Sequence, residues 1–421
     1  MAVNNTRLGF ANGYDNAIRN ITSRQSKLAT LQENLTSGKR VVKASDDPTA
    51  AAQAERSLTR LARIAADQRA LEAQKNTITV GESTLGDITD ALQRFRELTV
   101  NAGSGTLTTS ERKTIAVELT GLREQILSYA NRKDNNGQPL FAALGSALNP
   151  FSGPQPTVPG PDYQFLGLPG QPASSETAIP GALDGESAFM LQTRRDGAYN
   201  VNVTNVPAGY IDPSRTLQTG NVAVVDNSLL TGLGYTITVN SVSTAAGTTT
   251  VDYTVTDSAG NPPINNTASF SATLNPPTFS VPDMPGMTLQ ITGTATAGDV
   301  ISLKPSPSIF SVLDDAIRDI GGAVNGNAAA QAVSQALHNI DIGMGRIHAV
   351  RGQAGDLLNR ADRISDNQDM RSVQLEADRS RAEDLDMIKG VSDFQNQQTG
   401  YQAALQSYAQ MQKLSLFNYI G

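Results

Sequence analysis

Several groups of residues in this sequence have the right types for chemistry. Asp46 and Asp47 are adjacent carboxylates, the kind of pair that divides general-acid from general-base work. His338 and His348 are the only histidines, available as metal ligands or bases. Gly343-x-Gly345 offers two glycines to a phosphate loop. Each group has a plainer role. Asp46-Asp47 stands before Pro48, where a carboxylate caps free N–H groups, both charges suit the positive end of a helix dipole, and proline fits the first helical position. The histidines lie ten residues apart on a predicted helix, nearly a quarter-turn out of line, as surface histidines do. The glycines fall within a helical pattern and no strand precedes them. The tyrosines and Phe394 could stack bases, but heptad spacing beside balanced charges reads as packing. No set of nucleophile, base and oxyanion donor emerges. The sequence therefore predicts no enzyme, no catalytic residue, no metal and no cofactor.

Composition narrows the classes further. The 421 residues contain no cysteine, which removes disulfides, thiolate metal sites and a cysteine nucleophile. The net charge of −7 argues against a nucleic-acid partner, which would select a clustered basic surface. No apolar run approaches the roughly 20 residues of a membrane span. The first ten residues lack a continuous apolar stretch, so no cleaved secretory signal is expected.

The elements that would position any function follow from proline and charge. Eighteen of the twenty prolines lie between Pro150 and Pro307, so the two ends can form long helices and the middle cannot. Residues 151–305 hold four basic residues against nine Asp and two Glu, whereas the ends hold 29 of each sign, interspersed as on exposed helix faces. This predicts a mainly α chain with an inserted β domain: residues 1–45 with 380–421 as a terminal helical assembly domain, 46–150 with 306–379 as a helical bundle, and 151–305 as an exposed β-rich knob.

Seven-residue spacing supplies the detail. Tyr14, Ile21, Leu28 and Leu35 form one stripe, and Phe10, Ala17, Arg24 and Leu31 form its partner, with Arg24 interrupting it. A second helix runs from about Pro48 to Asn101, about 80 Å at 1.5 Å per residue, with Ile64, Leu71, Ile78, Leu85 and Leu92 in one stripe. Thr108-Thr109-Ser110-Glu111 fits a capping box for a third. After the insert, Phe310, Leu313, Ile317, Ile320 and Val324 resume 3/4 spacing, followed by Val333, Leu337, Ile340, Met344 and Ile347. Val391, Phe394, Tyr401, Leu405 and Tyr408 end the pattern, before Leu414-Ser-Leu416-Phe417. Helical seams at both ends of one chain imply a coiled-coil-like bundle closed by the two termini. The outermost seams bury little alone, so they read as segments that order on contact with neighbouring chains. Their polar faces are not predominantly basic, which favours partner helices over a membrane surface.

In the middle, Phe189, Leu191 and Thr193 alternate up to Asp196-Gly197, and Tyr199, Val201 and Val203 alternate away from it, which predicts a hairpin. Tyr235, Ile237 and Val239 should pair with Val251, Tyr253 and Val255 across Gly247. Phe270, Ala272 and Leu274, then Leu289 and Ile291, then Val300 and Leu303 complete the strands, and Pro150–Pro180 reads as irregular connection.

The stretch Leu35-Thr-Ser-Gly38-Lys-Arg40-Val-Val-Lys-Ala-Ser45-Asp46-Asp47-Pro48 resembles the bacterial flagellin family, and within it the hook–filament junction branch. Ser380-Arg-Ala-Glu383-Asp384-Leu-Asp386-Met, Tyr401-Gln-Ala-Ala-Leu405 and the ending Leu414-Ser-Leu416-Phe417 are similar to the family's other hallmarks, and Gly298-Asp299 is similar too. The resemblance covers about the first 145 and last 115 residues. Asp47-Pro48-Thr49-Ala50, where flagellins usually carry Asp-Ala-Ala-Gly, and the Phe417-Asn-Tyr-Ile-Gly421 tail favour the junction branch over filament flagellin. Ala44 stands where the family often has proline. The resemblance implies an extracellular structural subunit of the flagellum. It would be exported unfolded through the flagellar type III apparatus with a cytoplasmic chaperone on its C-terminal helix. It would sit as a ring of its own copies between the first hook-associated protein and flagellin, without nucleic acid or membrane. Its assembly interface would use Phe10, Tyr14, Ile21, Leu28, Leu35, Phe394, Tyr401, Leu405, Tyr408 and Leu416, with Ser45, Asp46, Asp47 and Pro48 as the helix-start turn. Filament flagellin, or a tip protein of a type III injection apparatus, are the alternatives.

Overall fold

The computed structural model describes residues 3–157, 160–170, 173–204 and 216–420, with side chains for all of these except 3–12, 155–157, 160–162 and 413–420. Among the described residues, seven α-helices, one short 3-10 helix and ten strands follow one another as the proline distribution requires: long helices at both ends of the chain and a β domain between them. The helices are α1 (Val3–Ser37), α2 (Pro48–Ala102), α3 (Thr109–Ala130), α4 (Gly185–Phe189), α5 (Ile309–Gly321), α6 (Gly326–Glu383) and α7 (Met387–Ile420). The chain divides into two compact units, residues 1–69 with 364–421 and residues 70–363, and both α2 and α6 contribute a segment to each.

Within residues 70–363 the seven-residue stripe of α2 forms the helical core. Leu71, Ile78, Leu85 and Leu92 are all buried, joined by Phe95. Thr108 caps α3 as its sequence demands: its hydroxyl accepts from the Glu111 N–H at 3.3 Å, and the Glu111 carboxylate accepts from the Thr108 N–H at 2.7 Å. Arg123 on α3 meets Asp314 on α5 at 2.9 Å, and the Tyr163 hydroxyl donates to the same carboxylate at 2.7 Å. Phe151 packs edge to face on Phe189 and tilted on Phe310, with ring centroids 5.1 and 5.5 Å apart, and Phe189 stacks on Phe310 at 5.8 Å, within the range where aromatic pairs attract beyond their buried area. Gly343, inside α6, is a packing residue: an added Cβ would collide with the Ile309 side chain. Val324, expected on the apolar face, is instead 38% exposed, because α5 has ended at Gly321 and the chain is already turning.

The strands are β1 (Phe151–Thr157), β2 (Gly160–Phe165), β3 (Tyr199–Thr204), β4 (Gln218–Val224), β5 (Tyr235–Ala245), β6 (Thr248–Asp257), β7 (Ile264–Ser271), β8 (Thr278–Met284), β9 (Met287–Thr292) and β10 (Val300–Pro305). A five-stranded sheet, β3-β10-β5-β6-β7, and a three-stranded sheet, β4-β9-β8, bury Val239, Val251, Val281, Leu289, Ile291 and Ile301 between them. β5 and β6 pair as expected around Gly247, with Ile237 opposite Val255 and Val239 opposite Tyr253. Some expectations fail, among them the strand over 270–274, since β7 ends at Ser271 and leaves Ala272 and Leu274 outside it. Phe189 and Thr193 are not in a strand: Asp184 caps the short α4, with its carboxylate accepting from Glu186 N–H at 3.1 Å and Ser187 N–H at 3.2 Å. The Asp196 carboxylate accepts from Gln192 N–H at 2.7 Å and closes a turn, so Tyr199–Val203 pairs with β10 instead. The stretch after Pro150 is not wholly irregular either, since β1 and β2 form an antiparallel pair. An isolated two-stranded ribbon tolerates its prolines, because both strands are edges.

A polar row fixes the insert to α6. Val201 N–H donates to the Gln335 side-chain oxygen at 3.1 Å, and the Gln331 amide donates to the Val201 carbonyl at 3.0 Å. Asn339 donates to the Tyr199 carbonyl at 2.9 Å. These residues stand four apart on one helix face and satisfy the outer edge of β3, an edge that water or another strand would otherwise take. Gln331 and Gln335 also hold Thr219 on β4, at 3.0 and 3.1 Å, so the same two amides join the edges of both sheets.

Candidate assembly interface at the chain ends

The unit made of residues 1–69 and 364–421 brings the two chain ends together as an antiparallel helix pair. On α1, Ala17, Ile21, Arg24, Leu28, Leu31 and Leu35 are half-buried, while the positions between them are exposed apart from Asn34. On α7, Phe394, Gln397, Gly400, Tyr401, Ala404 and Tyr408 are half-buried in the same 3/4 rhythm. Tyr14 and Tyr408 pack at one end with their rings tilted and centroids 5.2 Å apart, and the Tyr408 hydroxyl donates to that of Tyr14. That bond pulls the two phenols apart in acidity, lowering Tyr14 and raising Tyr408 from the ordinary value. Gly400 explains the interruption at Arg24: a Cβ there would stand 2.5 Å from Arg24 Nη1, so the missing side chain makes room for the guanidinium in the seam.

The pairing is shallow. Tyr14 remains 42% exposed and Leu405 41% exposed, and Ile18, Val391 and Met411 are also exposed. Isolated helices of this kind are marginal without further burial. The side chains of Phe10 and Leu416 lie outside the described residues, although both positions are helical. The structure therefore brings Ile21, Leu28, Leu35, Phe394, Tyr401 and Tyr408 into one seam and leaves Leu405 on its outer side.

The turn between α1 and α2 is built from the carboxylates that the sequence placed there. Asp46 accepts from the N–H groups of Val42 and Lys43 at 3.2 and 2.8 Å, which folds the turn on itself. Asp47 accepts from the Ala50 N–H at 3.0 Å and the Thr49 hydroxyl at 2.7 Å, and Arg40 reaches it at 3.2 Å. The Ala50 N–H, the Thr49 hydroxyl and the Arg40 guanidinium all favour the charged form, in that order, so the Asp47 carboxyl drops to about 2. Pro48 opens α2, and Ser45 is exposed in the turn.

Sequence reasoning missed the second half of this turn. Residues 38–41 lie beside the end of α6: Arg40 N–H donates to the Glu383 carbonyl at 2.7 Å, Leu385 N–H donates to the Gly38 carbonyl at 2.9 Å, and the Lys39 ammonium pairs with the Glu383 carboxylate. Arg40 Nη2 adds a bond to the Ala382 carbonyl at 2.8 Å. Val41, Ala50, Ala54 and Ala382 form the small apolar core beneath. Asp386 then starts α7, accepting from the N–H groups of Ile388 and Lys389 at 3.1 and 3.2 Å. The available signal was the placing of both acidic motifs, Ser45–Pro48 and Glu383–Asp386, at helix breaks. Among the described residues no cluster of three His, Asp or Glu side chains could hold a metal ion, and no helix is long and apolar enough to cross a membrane.

Comparison with known proteins follows the same outline. Residues 12–145 match the bacterial flagellin N-terminal helical region, and residues 337–420 match the bacterial flagellin C-terminal helical region. The flagellar hook-associated protein 3 of Escherichia coli K12 is 37% identical over 147 residues, covering 33% of this chain and 44% of the relative. A flagellin of Serratia marcescens is 26% identical over 260 residues, covering 51% of this chain and 72% of the relative. The crystal structure of the flagellar junction protein FlgL from Legionella pneumophila aligns with a TM-score of 0.56 at 23% identity, covering 73% of this chain and 98% of that one, which is a likeness of fold. The chain thus spans 44% of the length of the hook-associated relative it matches, and the insert accounts for none of the two helical-region matches.

Proposed function

The chain belongs to the bacterial flagellin family, and on that premise we propose that it is a structural subunit joining the flagellar hook to the filament. The observation that carries this reading is the α1–α7 pair, which lies in the two matched helical regions from residue 12 onward and leaves apolar side chains exposed along a shallow seam. A neighbouring chain that covers those side chains gains hydrophobic free energy and orders both ends at once. The interface residues on this reading are Phe10, Tyr14, Ile21, Leu28, Leu35, Phe394, Tyr401, Leu405, Tyr408 and Leu416, with the turn Ser45–Pro48 setting where α2 begins. Its neighbours are further copies of itself in a ring, the first hook-associated protein on one side and flagellin on the other. An export chaperone holds the C-terminal helix before secretion through the type III apparatus. The same reading divides the chain into terminal assembly helices (1–45 with 380–421), a bundle (46–150 with 306–379) and an exposed β-rich spacer (151–305).

The test replaces Leu35 or Tyr401 by aspartate. Either charge within a half-buried seam should stop incorporation into flagella and abolish motility, while circular dichroism of the insert stays unchanged. Stable junctions and normal swimming in either variant would sink the role given to the ends. The rival reading, filament flagellin, is separated by seeding: the purified chain should fail to elongate filament fragments, and long self-seeded filaments would replace the junction role with that of the filament.

A further inference from the structure

A groove of about 580 Å³ opens beside the start of α2, between Arg40, Asp47, Arg56, Arg60, Asp378 and Arg381. Four of those six are arginines, and they are not equally satisfied. Arg40 is held by Asp47 at 3.2 Å and by the Ala382 carbonyl at 2.8 Å, and Arg381 is paired with Asp378. Arg56 and Arg60 are exposed, and among the described residues neither makes an ion pair or a side-chain hydrogen bond. Standing four apart, they project from one face of α2 with their Cβ atoms about 6 Å apart. Two guanidinium forks at that spacing match two carboxylates on a facing surface, and each fork can bind one in bidentate fashion. The groove's two acidic residues are already used by Arg40 and Arg381, so nothing within it competes for the free pair.

The charge distribution points to where such carboxylates are found. Residues 1–69 with 364–421 hold 16 Lys and Arg against 14 Asp and Glu, whereas residues 70–363 hold 17 against 26. A second copy therefore offers a net acidic unit to a groove that carries unspent positive charge. We propose that the Arg56–Arg60 groove docks carboxylates from residues 70–363 of a second copy, making the contact between copies heterologous and salt-sensitive. A heterologous contact joins different surfaces of the two copies, so it propagates into a ring or a helix rather than closing as a dimer. The contact deepens the proposed assembly role and rests on it only for the premise that copies meet.

The full-length chain is tested by sedimentation velocity at low salt and at about 1 M salt, where the Debye length falls to about 3 Å. Self-association is expected at low salt and should be lost at high salt. The Arg56→Glu/Arg60→Glu variant should weaken it at least about tenfold, while Arg56→Lys/Arg60→Lys, which keeps charge but not the fork, should weaken it less. Because the chain has no cysteine, Arg56→Cys gives a unique attachment point for a photo-crosslinker, with the neighbour read by mass spectrometry. Crosslinks should fall on residues 70–363 of another copy. A chain that stays monomeric at low salt, association indifferent to charge reversal, or crosslinks confined to residues 1–69 and 364–421 would overturn the proposal. Groove-dependent association in a chain that fails to restore junctions would count against the junction role and leave the groove contact standing.

Discussion

Asp315 shows how one side chain ties the stability of this protein to pH. Its carboxyl is pushed up to about 6, chiefly by burial, against the pull of the Arg318 guanidinium, which it meets at 2.7 Å. In the unfolded chain it returns to the ordinary 3.8, so the folded state holds the proton more tightly. Its contribution is therefore fully present below about pH 4 and is lost as the pH rises through 6. A shift of this size corresponds to something on the order of 3 kcal/mol. Asp47 and Glu111, whose carboxyls are lowered by hydrogen bonds to their charged forms, work in the opposite direction and at lower pH. The clean measurement is therefore a difference: melting temperatures of the natural chain and of Asp315→Asn between pH 4 and 7. The natural chain should lose stability relative to the variant across that window, and parallel curves would show that Asp315 is not the titrating group. Nothing in the sequence singles out Asp315 from Asp314 and Asp319. The difference lies in how deeply Asp315 is buried once α5 has folded onto the chain just after β10, where the Ser306 hydroxyl donates to the Asp315 carboxylate at 3.4 Å.

Between helix and sheet, the Gln331, Gln335 and Asn339 row makes the sharpest prediction. Gln335→Leu keeps the volume but leaves the Val201 N–H and the Thr219 hydroxyl without partners in a buried setting, which should cost about 1–3 kcal/mol. Hydrogen exchange should show the Val201 amide losing protection while Val251, deep in the sandwich and paired with strand neighbours on both sides, keeps its own. Equal protection of Val201 in the natural chain and the variant would mean that another group satisfies the β3 edge. This row was not readable in advance, because a glutamine on a helix reveals nothing about a strand more than a hundred residues away. The helical seams were readable for the opposite reason: Leu71 to Leu92 repeat a local period that sets the buried face whatever packs on it. The Thr108–Glu111 box was local in the same sense. The failed hairpin at 189–203 shows the limit of periodicity, since alternation cannot compete with Asp184 and Asp196, whose carboxylates capture nearby backbone N–H groups and bend the chain.

For the molecule as a whole, the contrast between a deep core and a shallow seam decides the order in which its parts open. Ile78, Leu85, Ile88, Leu92 and Leu119 are wholly buried, so exposing residues 70–363 means breaking a large apolar core. The α1–α7 pair keeps no wholly buried side chain among residues 13–35 and 391–412, so it can open at much smaller cost. Limited proteolysis of the dilute chain should therefore trim roughly forty residues from each end before any cut falls in the core of residues 70–363. The turn of Ser45–Pro48 and the break at Glu383–Asp386 are the natural places for trimming to stall, since there the chain is held by Arg40, Asp47 and the backbone of Glu383 rather than by the seam. On the proposed assembly role the terminal helices should become resistant in flagella, since neighbours that cover Ile18, Leu405 and Met411 would add the burial that the single chain lacks. Ends that resist protease equally in the free chain would mean that α1 and α7 satisfy each other completely. Assembly would then have to proceed between preformed hairpins, with the charged groove at α2, rather than the seam, selecting the neighbour.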